Sequence, residues 1–175
     1  MNKKYQVIYC DPPWKYEFPV SNSRKIENKY PTMTLNELML IKIPSDENCI
    51  LFMWTTAPKL KESIDLMYAW GFEYRTHAIW DKCALGMGYY FRISHELLMV
   101  GLKGKIPCPL PTQRISSVIK IKKREHSRKP DYIRTLIGEW YKDFNKIELF
   151  SRHKFEGWDS WGNEVPDHTQ MLLTK

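Results

Sequence analysis

The run YQVIYC, residues 5–10, is apolar enough for a buried strand, and Asp11, Pro12 and Pro13 cut it off at once. Neither proline donates a backbone N–H and both fix φ, so a β-ladder cannot continue through them. The strand has to stop at Cys10. Asp11 is then held at its carboxyl-terminal edge, and Trp14 stands in the loop beyond. Taken alone, Asp-Pro-Pro-Trp has two readings. It is either a rigid ligand-facing loop, or a proline-terminated strand whose tryptophan plugs the core.

Downstream, strand-like and helix-like segments alternate. Residues 15–32 are polar, carry Pro19, and read as a long loop of the functional or mobile kind. Thr34 is placed to cap a helix over LNELMLIKI, with Glu37 as its capping-box partner. NCILFMWTT (48–56) reads as a second buried strand. Pro58 then opens a helix to about Trp70, with Ile64, Met67 and Tyr68 on one face and Gly71 at its end. Strands are expected at 72–80 and 95–104, on either side of the glycine-rich loop LGMGYYF. SVIKIKK alternates like a half-exposed strand, Pro130 begins the helix DYIRTLIGEWY, NKIELF (145–150) is a strand, and 157–165 holds one short strand more. Strands spaced by helices imply an α/β fold with a mostly parallel sheet covered on both faces. Ligands bind such sheets beyond the carboxyl ends of the strands, where Asp11 and Arg152 lie. No repeat or linker divides the chain, so residues 1–175 are expected to form one domain without a separate target-recognition domain.

No apolar run approaches the roughly 18 residues of a membrane span, and Asp11 interrupts any signal-peptide pattern, so a cytoplasmic protein with no membrane partner is expected. The cysteines, Cys10, Cys49, Cys83 and Cys108, are far apart and read as buried reduced thiols rather than a zinc site. The formal net charge is +7, and much of the excess falls between Arg114 and Lys129. Such clustering suits a phosphate-bearing partner, or else a solvated basic face.

One chemistry that the Asp-Pro-Pro-Trp cradle suits is alkylation of an aromatic amine such as that of adenine, whose lone pair is delocalised into the ring. The Asp11 carboxylate accepts one N–H. The Pro12 carbonyl accepts the other, because Pro13 offers it no competing donor. The di-proline fixes their separation, and Trp14 gives a surface on which the base stacks, worth roughly 1–3 kcal/mol.

In order, DPPW (11–14), YPTMTLNEL (30–38), HELLMVGLKG (95–104), SRKPDYI (127–133), KIELFSR (146–152) and GWDSWGNEV (157–165) resemble the adenine-N(6) methyltransferase family that includes the catalytic subunit of the messenger-RNA writer and small bacterial and phage DNA enzymes. The resemblance spans nearly the whole chain. It implies a Rossmann-like, S-adenosylmethionine-dependent methyltransferase fold with a permuted motif order, the amine-binding motif preceding the cofactor strand.

It also implies roles for particular residues. Asp11, Pro12, Pro13 and Trp14 form the catalytic amine site, with Asp11 also near the cofactor. Tyr30 and Glu96 lie at the target nucleoside. Lys129 pairs with the cofactor carboxylate, Glu148 takes its ribose hydroxyls, and Phe150, Arg152, Asn163 and Glu164 complete the cofactor site. The basic cluster, apart from the resemblance, assigns Lys122, Lys123 and Arg124 to the nucleic-acid backbone, or else to a solvated face. The expected substrate is DNA in preference to RNA, and a homodimer or heterodimer is the expected assembly. The alternatives are the same reaction on RNA, methylation of the cytosine amine, or a non-catalytic nucleic-acid-binding subunit. Two departures stand out: no G-x-G loop follows the cofactor strand, and the segment that precedes the first strand in longer relatives is expected to be missing.

Overall fold

The computed structural model of the chain describes residues 3–16, 31–123 and 128–162. Its centre is a seven-stranded sheet built from β1 (Tyr5–Cys10), β2 (Ser45–Thr55), β3 (Glu73–Asp81), β4 (His95–Lys103), β5 (Val118–Lys120), β6 (Lys146–Leu149) and β7 (Asp159–Trp161). The strands lie in the order β5-β3-β4-β2-β1-β6-β7. β1 pairs in parallel with β2 and β6, β6 with β7, and β3 with β5. β4 runs antiparallel to both its neighbours, β2 and β3. The sheet is therefore mostly parallel, with one reversed strand.

Strand alternation divides the core into two layers, as the period of two requires. Ile8, Cys10, Leu51, Met53 and Met99 point to the side covered by α1 (Leu35–Met39) and α2 (Leu60–Ala69). Val7, Tyr9, Phe52, Trp54 and Leu98 point to the side covered by α3 (Asp131–Trp140). On α3 the buried Ile133 and Ile137 are one helical turn apart. Each isoleucine removed from water contributes about 1.5–3 kcal/mol. Among the described residues no helix is long and apolar enough to cross a membrane.

Local signals explain most element ends. Thr34 caps α1 through a reciprocal box with Glu37, whose carboxylate accepts from the Thr34 N–H at 2.7 Å. α1 stops at Met39, with Leu40 as its C-cap, rather than running to Ile43, and Pro44 disfavours helical geometry at Ile43 itself. The Pro44 carbonyl then accepts from the Tyr5 N–H at 2.9 Å, which commits the chain to the sheet. Gly71 ends the α2 turn with φ of +81°, a left-handed conformation that other residues resist.

The face of α2 differs from expectation: Ser63, Leu66 and Met67 are buried, whereas Tyr68 is 58% exposed. Ser63 on the sheet side is satisfied: its hydroxyl donates to the Lys59 carbonyl and accepts from the Thr55 hydroxyl, leaving no unpaired polar group. The cysteines also divide. Cys10 and Cys49 are buried as expected, but Cys83 and Cys108 are exposed in loops.

A candidate active-site cleft at the strand ends

The carboxyl ends of β1, β2 and β6 share one edge of the sheet. The reversed β4 brings its first residues to that same edge, with Leu97 opposite Thr55 and His95 opposite Asp81. Glu96 is thereby delivered by the start of a strand to the place where Asp11 is delivered by the end of another. Lys129, on the approach to α3, joins them. Its Nζ donates to Asp11 Oδ2 at 2.5 Å and lies 3.3 Å from Glu96 Oε2, while Lys82 Nζ lies 3.4 Å from Glu96 Oε1. The Lys129 ammonium is also 5.9 Å from the Trp54 ring centroid, within reach of a cation–π attraction.

The four charges alternate and balance. Burial pushes the Asp11 carboxyl above the usual carboxylate range, and Lys129 opposes that rise. Burial acts to lower the Lys129 ammonium, but Asp11 and Glu96 overcome it and raise it above the ordinary lysine value. The carboxylate and the ammonium thus sustain each other's charge in a setting that penalises either alone.

A second charged pair lies on the floor of the same cleft. Glu148, third residue of β6, accepts two hydrogen bonds from Arg134: Nε to Oε2 at 2.6 Å and Nη2 to Oε1 at 3.1 Å. Arg134 is on α3 in register with Ile137, so a cation sits on the helix's apolar stripe. Its third nitrogen, Nη1, donates to Asp131 at 3.3 Å, and its guanidinium carbon lies 3.5 Å from the Phe155 ring centroid. Burial raises the Glu148 carboxyl and Arg134 counters it. The floor is completed by Tyr9, whose hydroxyl accepts from Trp54 Nε1 at 2.6 Å.

At the rim, Phe150 has φ of +59°, a left-handed conformation that costs a non-glycine residue about 1–2 kcal/mol. It turns the chain out of β6, and both Phe150 and Arg152 line the cleft. Strain of this kind collects at functional sites.

Of the expected site residues, Asp11, Lys129, Glu148, Phe150 and Arg152 line this one cleft, and Glu96 reaches it through Lys129. Two expectations need correction. Trp14 is not an open stacking platform: it is 5% exposed, packed in the α1/α2 core layer, and bridged to Met33. Lys15 N–H donates to the Met33 carbonyl and Met33 N–H to the Pro13 carbonyl, tying the loop down over the indole. Trp14 Nε1 is buried with no hydrogen-bond partner among the described residues.

The Pro12 carbonyl is not free either, since it accepts from the Trp14 N–H at 2.9 Å, leaving one lone pair for a ligand. Arg134 donates to both Glu148 oxygens, which leaves a further lone pair on each. Lys122 and Lys123 are exposed beyond the cleft, beside Lys82, whose carbonyl accepts from the Lys123 N–H. Tyr30, Arg124, Asn163 and Glu164 lie outside the described residues. Arg134, Lys82 and Phe155 are site residues that the sequence reading missed. For Arg134 the signal was present, an arginine three residues before Ile137 on an otherwise apolar stripe.

Comparison with known proteins places the chain among methyltransferases. The family profile described as MT-A70 matches residues 5–164. The type II methyltransferase M.MunI of Mycoplasma sp is 41% identical, over 99% of this chain and 83% of that protein. The N(6)-adenosine-methyltransferase MT-A70-like of Arabidopsis thaliana is 28% identical over 92% of this chain, which covers 24% of it. The human N(6)-adenine-specific methyltransferase METTL4 is also 28% identical, over 93% of this chain and 38% of its own length.

Proposed function

This chain belongs to the MT-A70 family, and from that membership we propose that it transfers a methyl group from S-adenosylmethionine to the exocyclic N(6) amine of adenine in DNA. DNA is taken over RNA because the relative matched along nearly the whole chain bears a type II methyltransferase name. The plant relatives named for adenosine are 28% identical and are matched over about a quarter of their length.

The cleft residues fit the cofactor by their chemistry. Lys129 offers an ammonium for a carboxylate, Glu148 offers acceptors for hydroxyls, and Phe150 and Phe155 offer rings for a flat base. When bound, the cofactor supplies an electrophilic methyl carried on a sulfonium. The chain's own residues do the rest.

Asp11 accepts one N–H of the target amine, and the remaining lone pair of the Pro12 carbonyl accepts the other. Two acceptors on one nitrogen favour a more tetrahedral amine, with its lone pair aimed at the methyl donor. Pro12 and Pro13 fix the acceptor spacing, so little freedom has to be lost on binding. Lys129 keeps Asp11 ionised against the penalty of burial, and Glu96 in turn holds Lys129 in line. Arg134 holds Glu148 in place on the floor of the cleft, and the remaining Glu148 lone pairs would take the cofactor's ribose hydroxyls. An adenine inside a duplex cannot bring its amine to Asp11, so the base is flipped out or taken from a single strand.

The observation that carries this reading is the Asp11–Lys129 hydrogen bond, made by residues 118 positions apart and joined by Glu96 at one sheet edge. The test is incubation with labelled S-adenosylmethionine and matched single- and double-stranded DNA and RNA, followed by nucleoside mass spectrometry. N(6)-methyldeoxyadenosine that disappears in Asp11→Asn is expected. Methyl found only in RNA, only on cytosine, or equally with the variant overturns the assignment.

A further inference from the structure

Between β3 and β4 the chain makes a hairpin-like loop at the same sheet edge as the cleft. Lys82 N–H donates to the Ser94 carbonyl at 2.8 Å, Gly86 N–H to Ile93 at 3.0 Å, and Arg92 Nε to the Gly86 carbonyl at 3.2 Å. The tip is tight. A Cβ at Gly88 would collide with the Phe91 carbonyl oxygen, and one at Gly86 would come within 2.6 Å of the Ile93 carbonyl oxygen. On this closed tip stand Tyr89, Tyr90 and Phe91, which are 79%, 96% and 85% exposed. Three consecutive aromatic rings held out in water by an ordered turn form an apolar surface that single exposed residues do not make.

Cations frame the tip. Arg92 follows it directly, and the β5 segment carries the exposed Lys120, Lys122 and Lys123 alongside its base, where Lys123 N–H donates to the Lys82 carbonyl at 3.1 Å. The other end of the loop runs into His95 and Glu96, so the tip is tied through Lys129 to Asp11. Aromatic rings interleaved with lysine and arginine are what a polynucleotide strand needs: faces for bases and charges for phosphates.

We propose that Tyr89, Tyr90 and Phe91 form a base-stacking surface that holds the DNA strand beside the target adenine, with Lys120, Lys122 and Lys123 on its phosphates. This rests on the reading above for its substrate class. It moves base stacking from Trp14, which is buried, to residues that are not. A protein partner covering the same rings is the competing occupant; the surrounding positive charge favours the polyanion.

The test is binding of a fluorescently labelled DNA oligonucleotide, measured by anisotropy across a salt series, for wild type, for the triple variant Tyr89→Ala/Tyr90→Ala/Phe91→Ala, and for Lys122→Ala/Lys123→Ala. Stacking at roughly 1–3 kcal/mol per base predicts at least about tenfold weaker binding for the triple variant at every salt concentration. Its log–log salt slope stays unchanged, because no counterions are involved. The lysine variant loses slope, by about 0.9 per phosphate contact for a duplex or about 0.7 for a single strand. Tyr90→Trp/Phe91→Trp retains wild-type affinity.

Binding needs no methyl transfer, so the two readings can fail separately. Weaker DNA binding by the triple variant, with no methylated adenine from wild type, keeps this surface and removes the enzymatic assignment. Unchanged affinity in an enzyme that methylates DNA removes this surface alone. A wild-type dimer that the triple variant dissolves, with DNA affinity unaltered, assigns the rings to a protein interface and overturns the proposal.

Discussion

Replacing Arg134 with methionine isolates the charged pair under the cleft. The two side chains are 10% and 11% exposed, so Glu148 loses both donors in a place where water cannot fully replace them. Removing one partner of a buried ion pair costs about 3–5 kcal/mol. At about 2–4 °C per kcal/mol for a chain of this size, the melting temperature should fall by roughly 6–20 °C.

The loss also has a pH signature. Glu148 is raised in the folded state by burial, against the pull of Arg134. An acid whose folded pKa exceeds its unfolded one destabilises the fold as pH rises through the folded value, and the penalty is relieved as pH falls below it. Without Arg134 that folded value climbs further. The deficit of Arg134→Met relative to wild type should therefore be widest at mildly alkaline pH and narrow on acidification, as Glu148 takes up a proton. Thermal unfolding followed by circular dichroism, for wild type, Arg134→Met, Glu148→Gln and the double variant, supplies both the pH series and a double-mutant cycle. The double variant should recover much of the single variant's loss. A deficit that is absent, or that keeps its size at every pH with no recovery in the double variant, would refute the reasoning.

Three further outcomes are expected. Asp11→Asn should lower kcat/KM for methyl transfer by roughly a hundredfold or more without unfolding the protein; because burial raises the Asp11 carboxyl, the acid limb of the wild-type pH–rate profile should lie above the ordinary carboxylate range, and Lys129→Met, which removes the opposing charge, should move it higher still. Trp14→Ala should act on stability, by about 3–5 kcal/mol in urea denaturation, because the indole is a core group; a change below about 1 kcal/mol, accompanied by lost substrate affinity, would restore the stacking role. A thiol reagent should label Cys83 and Cys108 in the native protein well before Cys10 and Cys49, since burial raises the Cys10 thiol and pushes Cys49 up to about 12; mass spectrometry of the labelled peptides reads the order.

The strand that ends at Cys10, the Thr34 cap and the Gly71 stop were legible because each is a local rule of backbone chemistry. The cleft was partly legible. Asp11 and Glu96 carry charge at the edges of apolar runs and Glu148 carries it within one, and a charge there needs a reason. What the linear text could not convey was who would satisfy whom. Lys129 answers Asp11 and Glu96 across the sheet, and Arg134 answers Glu148, because β4 is reversed and α3 lies over β1 and β6. The errors have the same origin. Trp14 looked stranded in a loop because Met33, which closes over it, is nineteen residues away in sequence. Tyr68 looked buried because helical spacing marks a face without saying which way it turns. In the fold it is Ser63, bonded to the Thr55 hydroxyl and the Lys59 carbonyl, that takes the sheet side.

β1 lies in the middle of the sheet, between a strand that follows it closely and one that comes some 140 residues later. During translation its β6-facing side must therefore wait, exposed, until residues 146–149 leave the ribosome. A nascent chain stalled before Lys146 carries an open apolar ladder along Val7–Cys10, the kind of bare strand margin that invites pairing with a neighbouring polypeptide. A strand made well before its partner is enclosed only when that partner emerges, so production of this chain should respond to chaperone supply and elongation rate.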